Sequence, residues 1–299
     1  MKKLLLAAIL FCGGLVAFSQ QLVQVSSFTK VPMQAGAMVS QPTISPDGSF
    51  VVAADASGSV LSKIDVATGA SKVLVSNASA SGVIISDDGE NVMFRRNTTK
   101  DKLRFVSLHN VAVKSGKVTQ IVAPSRHLAG YTFAGTTANA VENGKLRTKS
   151  LTGAAAQKDI VVSIDYGHLN VTVNGTTKTL DPQGRSSYLW PQLSPDKTKI
   201  VYWVAYKGCY VCNIDGSNPI SLGELRAARW LGNDMVVGMK DKDNGQFVTS
   251  SSLIVADLKG NRQTITESNM IAMYPSTSTD GKHIAFVSGD GELYVINLK

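Results

Sequence analysis

Apolar and polar positions alternate in short runs along this chain, and no stretch holds the three-to-four-residue apolar spacing of a helix. The runs come in pairs joined by turns rich in Gly, Asp and Asn, the pattern of antiparallel hairpins. Residues 50–54 pair in this way with 60–66, 92–95 with 103–108, and 138–141 with 146–151. The series continues with 160–164 and 169–173, 200–205 and 209–214, 235–239 and 253–258, and 284–287 and 293–298. That makes seven hairpins, which the spacing reads as the second and third strands of a repeating unit. Each unit adds an inner strand before the hairpin and a polar edge strand after it. Small sheets of this kind expose apolar faces that only a neighbouring sheet covers, so the pattern predicts an all-β, seven-bladed β-propeller of four-stranded antiparallel blades.

Two features refine that expectation. The last unit stops after its third strand at Lys299, while residues 22–28 alternate as a strand with no partner nearby in sequence. The N-terminal strand is therefore expected to complete the last blade and close the ring, leaving no open edge there. Between residues 126 and 182 the repeat weakens, and residues 152–159 are too few for both an outer strand and a new inner one. A six-bladed ring with one irregular blade is the alternative.

The junction of inner and second strands carries a recurring turn. Ser45-Pro46-Asp47-Gly48 returns as Ser86-Asp87-Asp88-Gly89, Ser194-Pro195-Asp196 and Ser278-Thr279-Asp280-Gly281, each followed by an apolar strand. Pro presets the turn, Asp bonds its own backbone and Gly accepts a positive φ, so these residues mark architecture. Together with Trp190-Pro191-Gln192-Leu193 and Tyr274-Pro275, they resemble the propeller repeats of the TolB family over residues 39–299. Related repeats occur in prolyl-oligopeptidase-type peptidases and in oligogalacturonate lyases. TolB carries an α/β domain before its propeller, for which this chain has no room, so the resemblance covers the propeller portion only. It implies a binding partner of the cell envelope.

Composition changes the picture at the N-terminus. Lys2-Lys3, the apolar stretch 4–11 with Leu15-Val16, and Ala17-Phe18-Ser19 read as a signal peptide over residues 1–19. Cleavage after Ser19 would make 20–299 a single propeller domain, exported to the periplasm, with secretion as the alternative. Phe11 before Cys12 is too bulky for a lipoprotein site, and the segment's end resembles exported proteins of the Bacteroidetes. Removing Lys2 and Lys3 lowers the formal charge of +8 to about +6, with both signs scattered. No dense basic run interleaves with aromatics, which argues against nucleic acid. No later apolar stretch is long enough to span a membrane.

Candidate chemistry is sparse. No G-x-S-x-G elbow exists for a peptidase. Cys209 and Cys212 lie three apart on an alternating strand, pointing to opposite faces, and are expected to be buried and neither redox nor zinc ligands. His109, His127, His168 and His283 fall in different units with no ligand spacing, although a metal-dependent lyase or hydrolase acting on acidic oligosaccharides is the enzyme alternative. Lys240-Asp241-Lys242-Asp243-Asn244-Gly245 partly resembles a calcium loop but lacks its alternation and distal Glu. No cofactor is expected. The two longest hairpin loops, 95–102 and 240–252, should share one rim with the channel mouth, because binding sites favour long loops on rigid scaffolds. Arg95, Arg96, Lys102, Asp241 and Asp243 are accordingly the candidate binding residues, suited to an acidic protein or peptide of the envelope or to a glycan. The chain is expected to be a monomeric, non-catalytic binding or scaffold module.

Overall fold

The computed structural model describes residues 21–267 and 269–299. The expected signal peptide at 1–19 therefore lies outside the described residues. The rest folds into seven antiparallel sheets arranged as a ring, a seven-bladed β-propeller. Blade one holds β2 (Val39–Ile44), β3 (Phe50–Asp55), β4 (Leu61–Asp65) and β5 (Ser71–Val75). Blade two holds β6 (Ala80–Ile85), β7 (Asn91–Lys100), β8 (Leu103–Ala112) and β9 (Val118–Ser125). Blade three has β10 (Leu128–Ala134), β11 (Thr137–Glu142) and β12 (Lys145–Ser150), and blade four β13 (Val161–Asp165), β14 (His168–Val173) and β15 (Thr176–Thr179). Blade five runs β16 (Tyr188–Leu193), β17 (Lys199–Val204), β18 (Gly208–Asn213) and β19 (Ile220–Gly223). Blade six runs β20 (Arg226–Leu231), β21 (Met235–Asp243), β22 (Val248–Asp257) and β23 (Arg262–Thr264). Blade seven joins β24 (Ala272–Thr277), β25 (His283–Ser288) and β26 (Leu293–Leu298) to β1 (Val25–Lys30).

The N-terminal strand does close the ring. β1 pairs antiparallel with β26, and Phe28 packs its ring 5.6 Å from both Phe286 and Tyr294. Just upstream, the Leu22 and Val23 amides both donate to the Gln263 side-chain oxygen, whose amide returns a bond to the Val23 carbonyl. This anchors the incoming chain to the outer strand of blade six.

Two expectations need correction. Blades three and four have three strands, and the hairpin 160–173 supplies the first and second strands of its blade. β13 is the innermost strand there, touching β10 on one side and β16 on the other. The reason is the short connection after β12: with no outer strand laid down, the chain returns directly to the channel and the count shifts by one. The supposed long loops are also strands. β7 and β8 pair through Lys100–Leu103 around Asp101 and Lys102, both at positive φ as a two-residue hairpin turn requires. β21 and β22 likewise stay paired out to Asp243 and Val248. These two hairpins extend beyond their neighbours from blades two and six.

The core lies between blades. Phe50, Val52 and Leu61 of blade one meet Val92, Phe94 and Val111 of blade two, and similar apolar contacts join blades five to six and six to seven. Cys209 and Cys212 are free and buried on opposite faces of β18, one packed toward blade six and the other toward blade four. Burial pushes both thiols up to about 12. Between blades three and four the backbones themselves close in, where a Cβ on Gly130 would meet the Val162 carbonyl at 2.6 Å.

The four Ser-Asp turns share one geometry. In the first, Ser45 donates its hydroxyl to Asp47 at 2.7 Å and accepts from the Phe50 amide at 3.0 Å. Ser86–Asp88, Ser194–Asp196 and Ser278–Asp280 repeat both bonds. The repetition is thus a fold device, on the face opposite the extended hairpins.

Candidate functional site

Inner strands of five blades carry the same irregularity near the other face. Between Ser40 and Thr43 of β2 one extra residue is inserted opposite β3, and the same step recurs at Ser81–Ile84, Leu189–Gln192, Arg226–Arg229 and Met273–Ser276. At each bulge the residue after the first named adopts a left-handed backbone: Gln41, Gly82, Trp190, Ala227 and Tyr274, with φ between 46° and 60°. Four of these are not glycine, and that conformation is costly for them. Bulges re-aim side chains and gather at functional rims. All five residues line one cavity of about 460 Å³ at the channel mouth.

Three arginines and one carboxylate supply the charged lining of this cup. Arg226 donates from Nη1 to Asp241 Oδ2 at 2.8 Å. The Asp241 side chain is only 2 % exposed, yet no protein group among the described residues reaches its Oδ1. Nε of Arg226 and Nε of Arg95 are also buried and unbonded. Arg95 donates Nη2 to the Ala129 carbonyl and sits 5.1 Å above the Tyr131 ring, while the Tyr131 hydroxyl donates to the Gly82 carbonyl. Arg229 donates to the Ala228 carbonyl at 3.1 Å, and the Gln192 amide oxygen accepts from Nη1 at 3.2 Å. Burial lowers the Arg229 guanidinium to about 10, still charged at neutral pH. Three guanidiniums against one carboxylate leave the cup cationic. Its rim is aromatic, with Trp190 46 % and Tyr274 37 % exposed.

Of the five residues singled out from sequence, the structure brings Arg95 and Asp241 together in the cup. Arg96, its neighbour on β7, donates instead to the Ala78 carbonyl. Lys102 occupies the tip of the β7–β8 hairpin, and Asp243 caps its own turn by accepting from the Gly245 amide at 2.9 Å. Arg226, Arg229, Trp190 and Tyr274 were missed. The available signal was the X-Pro pair in Gln41-Pro42, Trp190-Pro191 and Tyr274-Pro275, which marks three of the five bulges.

The four histidines do not converge. His109 bonds Ser107 and stacks on Phe94, His127 meets the Tyr166 hydroxyl, His168 pairs with Asp181, and His283 contacts Asn297. None lines either mouth of the channel. Among the described residues no group of three His, Cys, Asp or Glu has metal-binding proximity, and no helix is long and apolar enough to cross a membrane. The opposite mouth holds a second cavity of about 520 Å³, where Lys197 is paired with Asp159 at 2.7 Å.

No protein-family model and no curated protein matches the chain. Solved structures do. One described as the crystal structure of RRP9 WD40 repeats superposes with a TM-score of 0.65 over 93 % of this chain and 100 % of that one. The two are 11 % identical, so the likeness is one of fold. In all 936 solved chains match, and a shape so widely shared does not select a function by itself.

Proposed function

We propose that this chain is an exported, non-catalytic TolB-like propeller that acts as a binding or scaffold module of the periplasmic cell envelope. The Ser-Pro-Asp turns and the Trp190-Pro191 and Tyr274-Pro275 pairs support the family reading, and the leader-like residues 1–19 support export. The observation that carries the binding reading is the cup. Five bulges, four of them with strained non-glycine backbones, converge on one concave, cationic mouth that holds buried polar atoms without partners. A merely structural channel has no need of that arrangement, since buried polar groups are normally paired. The β7–β8 hairpin, with Arg96 on its stem and Lys102 at its tip, stands beside the mouth and suits an acidic surface on an envelope protein.

The test is proximity crosslinking in intact envelopes, with a photoreactive group placed at the hairpin tip. A discrete envelope protein should be captured, and the double variant Arg96→Glu, Lys102→Glu should reduce the yield at least tenfold. Equal capture by wild type and variant would sink the assignment of this hairpin to the partner.

A further inference from the structure

The unpaired atoms in the cup define what would satisfy them. Asp241 Oδ1 needs a donor, but Oδ2 already binds the Arg226 guanidinium, so a neutral donor suits it better than a second cation. Nε of Arg226 and Nε of Arg95 each need an acceptor. A hydroxyl group does both, donating to Asp241 while accepting from Arg226. The excess of guanidinium charge adds a preference for a carboxylate elsewhere on the same molecule. The exposed faces of Trp190 and Tyr274 at the rim offer flat platforms for the C–H faces of a ring. The volume of about 460 Å³ lies within the range of small-ligand pockets. Pro42, Val83, Met239 and Val248 line the cup between the arginines and the aromatic rim, so apolar and charged groups alternate around it, as suits a ligand with both C–H faces and polar groups.

We propose that the cup binds a polyhydroxylated carboxylate, the chemistry of a sugar acid, free or as a uronic acid residue of a glycan. This deepens the binding-module reading and rests on it. Asp241 accepts from a ring hydroxyl, Arg226 donates to that hydroxyl or its neighbour, Arg95 takes the carboxylate, and Trp190 stacks on the ring.

The experiment titrates the purified full chain with glucuronate, galacturonate and their oligomers, following tryptophan fluorescence and calorimetric heat. Glucose oligomers, glutarate and a glutamate-rich peptide are the controls. Sugar acids should saturate, at least tenfold tighter than neutral glucose oligomers and than glutarate, which has the carboxylates but no hydroxyls. Asp241→Asn should weaken sugar-acid binding at least tenfold while leaving glutarate binding as tight or tighter, since it removes the one anion of the cup. Trp190→Phe, which alters an exposed rim side chain outside the buried ion pair, should remove the fluorescence response and weaken binding several-fold, which keeps the test valid if Asp241→Asn folds poorly. Monomer and oligomer binding alike places the ligand as a free acid, and oligomer binding alone as a glycan. Glutarate or the peptide binding as tightly as the sugar acids overturns the proposal, as does the absence of saturable sugar-acid binding. Crosslinking at the β7–β8 hairpin is read separately, so failure here leaves the partner assignment standing.

Discussion

The Arg226–Asp241 pair should respond very unequally to the loss of either member. The Asp241 carboxylate is 2 % exposed, whereas the Arg226 side chain is 42 % exposed and can turn toward water. Replacing Arg226 by Ala leaves a buried carboxylate without its partner, a change that costs roughly 3–5 kcal/mol. Replacing Asp241 by Asn removes one charge-assisted hydrogen bond from a guanidinium that rehydrates, for about 1.5 kcal/mol. The double variant loses the bond but strands no charge, so it should lie closer to Asp241→Asn than to Arg226→Ala. Urea unfolding followed by circular dichroism measures all three, provided the slopes stay equal so that midpoints report stability. The expected order of midpoints is wild type, Asp241→Asn, the double variant, and Arg226→Ala lowest. Were Arg226→Ala no worse than Asp241→Asn, the carboxylate would have to be hydrated or held by another guanidinium of the cup. The account of Oδ1 as a waiting acceptor would then fall with it.

Further outcomes follow from the fold. Cys209 and Cys212, held protonated by burial, should resist thiol reagents in the native protein and react together once urea unfolds it. Rapid labelling of either thiol in the native state would contradict their placement between blades. Phe28→Ala should cost about 2–3 kcal/mol by uncovering Phe286 and Tyr294, and should raise self-association through the loosened edge of β26. Light scattering that stays monomeric and an unchanged unfolding midpoint would count against ring closure by β1. Hydrogen bonds from Ser45 and Ser49 hold the Asp47 carboxyl down at about 2, and the Ser194 hydroxyl lowers Asp196 as well. A depressed folded value means that their stabilisation is full above pH ~4 and is lost as pH falls through the folded value. After allowance for solvent screening, Asp47 contributes about 1 kcal/mol, so Ser45→Ala should flatten the acid limb of the pH–stability curve.

The ring was readable from sequence because its signals are local. Ser45, Asp47 and Gly48 form their turn with one another, and alternation within residues 50–54 needs no distant partner to be seen. Blade four was misaligned for the complementary reason. It has Tyr166-Gly167 where four other blades have a Ser-Asp turn, and no outer strand precedes it to keep the count. The cup was half legible. Lys240-Asp241-Lys242-Asp243 reads as a polar loop, because charge outweighs alternation in any local pattern. Only the neighbouring inner strand, through Arg226, turns Asp241 inward. The left-handed backbones at Trp190, Ala227 and Tyr274 run against local preference and are imposed by pairing with β17, β21 and β25.

The strand that closes the ring also sets how the molecule meets a pulling force. Val25 lies opposite Leu298 and the Lys299 amide donates to the Gln24 carbonyl, so the two strand ends sit side by side. Tension applied between Gln24 and Lys299 enters the β1–β26 ladder at one end and along its rungs. The bonds then carry the strain one after another, and the seam opens as a zipper does. A shear geometry would share the load across every rung at once. A tether at these two residues should therefore release β1 at low force while the other six blades stay folded.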